Sequence, residues 1–203
     1  MPVLRLFPTR ICKERLRVSA KFNRGLAAEC RAYRELDAAG RRWSKERYPH
    51  GYTSFSSITD LHRRSTGFEA LQRLIGRQVT QFVKTLELDI GKGKLEMTDL
   101  WLNIMGPGSH HPFHLHPLSV ISGTYYVEVP KGSGPFKVED PRIASFMASP
   151  PPSPRARLEN QRYVSLTTRP GDLLLFESWL KHEVPSNQSR EERISVSFNY
   201  DWR

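Results

Sequence analysis

The segment "RISVSFNY", residues 193–200, alternates strictly: Arg193, Ser195, Ser197 and Asn199 fall on one side of an extended chain, and Ile194, Val196, Phe198 and Tyr200 fall on the other. A strand of this kind needs apolar cover on one face. Its other face either meets water or lines an enclosed polar cavity, and in the second case Arg193 points inward, where its guanidinium offers a two-pronged grip on a carboxylate. Glu96 to Met105, Val120 to Val129, Arg162 to Thr168 and Asp172 to Glu177 are further strand candidates, most rich in β-branched or aromatic residues and bounded by Gly or Pro.

Upstream the period is helical. Apolar residues from Asn23 to about Lys45 recur at three- and four-residue steps and predict one amphipathic helix. A second helix is predicted over Thr66 to Leu86, with Thr66 and Glu69 as a capping box. The segment "YPHGYTSFSSITDL" between them reads as an ordered loop over the core. Helices followed by strands predict an α+β fold in one domain, 1–203, with 1–92 mainly helical and the strands in 93–203. The prolines of "ASPPPSPRAR" make 140–161 a long excursion over the surface.

"SHHPFHLHPLS", residues 109–119, holds four of the seven histidines. If its second half is a strand, His114 and His116 stand side by side on one face and can share a metal ion. His182, just beyond the apolar run of "LLLFESWLKHEVP", is the candidate third ligand, and "PSNQSREE" then reads as a hairpin-like turn leading to Arg193 on a neighbouring strand. His110 and His111 precede Pro112 in a turn-rich loop and are read as non-ligands, and His50 and His62 as structural. The competing reading of all these histidines is polar loop residues.

No apolar run approaches the roughly 20 residues that cross a bilayer. The start lacks the uninterrupted apolar stretch of a signal peptide, and Cys12 and Cys30 form no zinc pattern, so a cytoplasmic protein with free thiols is expected. The formal charge of +10 admits an anionic partner such as nucleic acid, but the Lys and Arg residues are dispersed and no RNA or zinc-finger motif accompanies them.

The order H-x-H, H, R-x-S resembles the double-stranded β-helix (a jelly roll, cupin-like) of iron(II)- and 2-oxoglutarate-dependent dioxygenases. The phrases "HLHPLSVISGTYYVEVP", "KVEDPR", "LLLFESWLKHEVPSN" and "ERISVSFNY" resemble a bacterial family of such oxygenases, over nearly the whole chain. The resemblance implies helices packed outside the β-helix and iron(II) held by His114, His116 and His182. It also implies 2-oxoglutarate bound by Arg193 and Ser195 and hydroxylation of an unknown organic substrate, and by strand position Tyr125 and Asn103 are further candidate contacts to the co-substrate. Tyr125 and Tyr126 are adjacent on one strand, so only one ring can face inward. The chain departs from the wider pattern at His116, which stands where H-x-D is usual. Asp140 or Glu183 would complete the triad if His116 were no ligand, although Glu183, next to His182, faces the other way on an extended chain.

Two other readings compete. One is a cupin-like three-histidine enzyme without 2-oxoglutarate, in which Arg193 holds the substrate's own carboxylate. The other is a basic, non-enzymatic module that contacts nucleic acid. The sequence leaves oligomeric state open, with a homodimer as one option.

Overall fold

The computed structural model describes residues 1–203. Two antiparallel sheets form its core. The larger has the strand order β1 (Ile11–Arg15), β8 (Asp172–Glu177), β5 (Ile121–Glu128), β10 (Arg193–Trp202), β3 (Leu95–Met105), β2 (Gly51–Thr53). The smaller has the order β4 (His111–His114), β9 (His182–Val184), β6 (Phe136–Glu139), β7 (Tyr163–Leu166). This is the mixed α and β architecture expected, a double-stranded β-helix with the helices outside it.

Strand alternation sorts the larger sheet into two faces. Ile194, Val196 and Phe198 of β10, Leu100, Leu102 and Ile104 of β3, Tyr125 and Val127 of β5, and Leu173 and Leu175 of β8 share one apolar cluster with the helices. Two of the helices supply the cover: α1 (Ala20–Leu36) contributes Leu26, Ala27 and Cys30, and α3 (Thr66–Leu86) contributes Phe68, Leu71, Ile75 and Val79. The opposite face carries Arg193, Ser195 and Ser197 toward the smaller sheet. The polar side of β10 therefore lines a cavity.

Several local expectations need correction. The predicted helix over 23–45 is two helices, α1 and α2 (Ala38–Arg47), broken at Asp37. The Asp37 carboxylate accepts from Gly40 N at 2.8 Å and from the Tyr52 hydroxyl at 2.8 Å, so it starts the second helix and pins it to β2. In α3 the cap is Ser65, whose hydroxyl accepts from Phe68 N at 3.2 Å, one residue before the Thr66 box. Besides α1, α2 and α3, the region 1–92 also supplies β1 and β2, the two edge strands of the larger sheet.

Residues 140–161 have no strand or α-helix, only short 3-10 turns at Ile143–Ser145 and Leu158–Asn160. The turn after His182 is not a hairpin. Its two strands, β9 and β10, belong to different sheets, so the chain crosses the cavity there, and Asn187 Nδ2 bridges Met105 O and Glu191 O, both at 2.9 Å. No helix is long and apolar enough to cross a membrane.

Candidate metal centre

His114 ends β4 and His182 begins β9, and the two are direct cross-strand partners in the smaller sheet. His116 lies past the end of β4, so strand alternation is not what aligns it with His114. Its main-chain N–H donates to Ser178 O at 3.0 Å, which folds the chain back over the cavity. The three rings offer one ligand atom each, all within 4.8 Å of one another.

Each of these rings has its Nδ1 engaged by an oxygen. His114 Nδ1 lies 2.8 Å from Pro112 O, and His182 Nδ1 lies 2.9 Å from Leu180 O. A carbonyl only accepts, so both nitrogens carry the proton and leave Nε2 with a free lone pair. His116 Nδ1 lies 2.7 Å from Asn199 Oδ1 and 2.8 Å from Ser122 Oγ. Burial, then the neighbouring rings, favours neutral imidazole: the pKa of His116 falls to about 4, that of His182 to about 2, and that of His114 falls as well through burial. Three neutral nitrogen donors converging in a buried pocket suit a divalent transition metal.

Arg193 lies at the other end of the same cavity and is 2% exposed. Its Nη1 reaches only the Met105 sulfur at 3.3 Å and Ser195 Oγ at 3.4 Å, its plane covers the Tyr126 ring at 5.0 Å, and its Nε has no partner. The Tyr126 hydroxyl stands beside this guanidinium and the Thr168 hydroxyl, yet it closes no hydrogen bond, and Thr168 Oγ1 is also unpaired. Buried polar groups are rarely left unsatisfied, and a buried charge less so. Unpaired donors on Arg193 and Tyr126, both of which line the cavity, suit an anion, so the chain's residues fit both a metal and a carboxylate.

The remaining site expectations divide. Ser195 and Asn103 line the cavity, and Asn103 Nδ2 donates to Ser197 Oγ at 3.2 Å. Tyr125 does not line it: its ring packs in the helix-side core and its hydroxyl donates to Asn23 Oδ1 at 2.7 Å, so the inward tyrosine is Tyr126. Asp140 is paired with Arg142 at 2.8 Å, and Glu183 with Lys137 at 2.8 Å, so neither joins the imidazoles. His111, read from the sequence as a non-ligand, is not among the three converging imidazoles but lines the cavity, with its ring stacked 4.0 Å from His114 and T-shaped to Tyr48. Burial and the surrounding His and Arg groups lower its pKa to about 3. Its three-residue offset from His114, across an irregularity in β4 pairing, is the signal that alternation alone misses.

A sequence search of curated proteins returned no match. Among solved structures, the chain is similar to the non-heme alpha ketoglutarate dependent epimerase SnoN from nogalamycin biosynthesis (TM-score 0.68, 15% identity, covering 96% of this chain and 77% of that one). It is also similar to a Pseudomonas putida prolyl-4-hydroxylase (TM-score 0.60, 17% identity, covering 96% and 94%). A third is HygX from Streptomyces hygroscopicus, with nickel, 2-oxoglutarate and hygromycin B bound (TM-score 0.63, 16% identity, covering 96% and 83%). At such identities these likenesses establish the fold. The sequence profile of the family described as "Putative 2OG-Fe(II) oxygenase" matches residues 99–199, which run from the start of the cavity wall in β3 to Asn199 in β10. The chain belongs to this family of iron(II)- and 2-oxoglutarate-dependent oxygenases.

Proposed function

We propose that His114, His116 and His182 hold one iron(II) ion, and that Arg193, Ser195, Tyr126 and Thr168 receive the distal carboxylate of 2-oxoglutarate. The observation that carries this reading is the buried Arg193 guanidinium, paired with no protein carboxylate, in the cavity that the three imidazoles share. When bound, iron and 2-oxoglutarate supply the oxidising power to hydroxylate an organic substrate with dioxygen, with succinate and carbon dioxide as co-products.

The chain's own residues supply binding and geometry. Arg193 fixes one end of the co-substrate by charge-assisted hydrogen bonds, which the dry surroundings strengthen. Tyr126 Oη and Ser195 Oγ donate beside it. The imidazoles bring no negative charge, so a metal there keeps its full double charge and attracts a dianion more strongly than a site with one carboxylate. Asn103 and Thr124 flank Ser197 at 3.2 and 3.1 Å and form a polar wall between the two ends of the cavity. Cys30, fully buried, and the partly buried Cys12 are both free thiols, which supports a reducing, cytoplasmic setting.

The test is calorimetric titration of 2-oxoglutarate into nickel-loaded protein, beside the Arg193→Met and Tyr126→Phe variants. We expect stoichiometric binding in the wild type, the largest loss in Arg193→Met and a smaller one in Tyr126→Phe. Binding that does not depend on Arg193 would overturn the assignment of the anion end.

A further inference from the structure

The three imidazoles are not held alike. His114 and His182 each donate Nδ1–H to a main-chain carbonyl two residues earlier, Pro112 O and Leu180 O, so both are oriented by local backbone. His116 is held by side chains from the larger sheet. Its Nδ1 meets Asn199 Oδ1 at 2.7 Å, and Asn199 Nδ2 donates to Asp99 Oδ2 at 3.4 Å, which fixes the amide with its oxygen toward the imidazole. Asp99, Asn199 and Ser122 are direct cross-strand partners on β3, β10 and β5, a polar row on the cavity side of the sheet. Ser122 Oγ donates to the same Asn199 oxygen at 2.8 Å and lies 2.7 Å from Ser178 Oγ. The ladder between β10 and β3 shifts register immediately after Asn199, the kind of irregularity that re-aims a side chain.

We propose that Asn199 and Asp99 are positioning residues for His116: the amide relays a carboxylate to the one imidazole that stands where related sites place an acid directly on the metal. The proposal rests on the metal-site reading above. Asp99 contributes its negative charge at one remove. Asn199 holds the His116 proton on Nδ1, so that Nε2 faces the other two ligands, and polarises the ring toward a stronger donor.

Cobalt(II) alone is the probe, titrated anaerobically into metal-free protein and read by its visible d–d absorption, with thermal melting of each metal-free variant as the check on folding. Asn199→Leu is expected to weaken cobalt binding by about tenfold or more and to change the d–d band pattern, while the metal-free variant still melts cooperatively. Asp99→Asn keeps the shape and removes the charge, and is expected to give a smaller loss. Asn199→Asp, which presents a carboxylate directly to Nδ1–H, is expected to recover wild-type affinity or better. Affinities of Asn199→Leu and Asp99→Asn within twofold of wild type, or an Asn199→Asp variant as weak as Asn199→Leu, would overturn the relay. A wild-type protein that binds no cobalt would instead sink the metal-site reading itself, and the two failures are thereby separate.

Discussion

A guanidinium enclosed by neutral groups costs several kcal/mol until an anion arrives, so in its proposed role Arg193 trades stability for binding. Arg193→Met is expected to raise the stability of the ligand-free protein by about 1–4 kcal/mol, because it replaces an unpaired buried charge with an apolar side chain of similar length. The same change should weaken 2-oxoglutarate binding by about thirtyfold or more, the equivalent of ~2 kcal/mol or more. Paired urea melts and titrations measure both; a variant that lost stability and binding together would indicate that Arg193 is structural. The imidazoles give a second expectation at this scale. In the unfolded chain they bind protons near pH 6.5, whereas folded His111, His116 and His182 resist protonation down to about 3, 4 and 2. The unfolded state therefore takes up protons that the folded state refuses, and stability of the metal-free protein falls as pH drops from about 7 to 5. Urea midpoints across that window check the sign, and a flat profile would contradict it.

Among the elements, β10 was the most legible in the sequence, since its alternation assigned Arg193, Ser195, Ser197 and Asn199 to one face before any pairing was known. Alternation could not choose between Tyr125 and Tyr126. Their phase depends on pairing with β10, whose register against β5 shifts between Ile194 and Ser195, and no local pattern encodes that shift. The short strands β6 and β9 were invisible for a related reason: three or four residues carry too little period, and they are extended because their partners hold them. The break at Asp37 was equally hidden, because apolar spacing runs through it and the deciding contacts come from Tyr52 and Ser57. Asp37→Ala removes the α2 cap and leaves the buried Tyr52 hydroxyl unpaired. We expect a loss of about 2–3 kcal/mol, read by denaturant melting, with metal affinity unchanged. Loss of the metal site in that variant would show that α2 and β2 also shape the cavity.

Across the molecule, the larger sheet presents one face to the helices and the other to the smaller sheet, and the chain passes between sheets just where it carries His182 toward Arg193. The H-x-H and R-x-S spacings could be read without coordinates because each lies within a few residues of one strand. His111, Thr168 and Asp99 could not: His111 sits across an irregularity in β4 pairing, Asp99 reaches His116 only through its cross-strand partner Asn199, and Thr168 enters only as a neighbour of Tyr126. The proposed metal and carboxylate ends line one cavity, so a single spectrum reports on both. Metal-free protein mixed anaerobically with iron(II) and 2-oxoglutarate should develop the visible charge-transfer band of a keto acid chelated to iron, and the band should vanish when 2-oxoglutarate is omitted. No band in protein that has taken up iron would contradict the account.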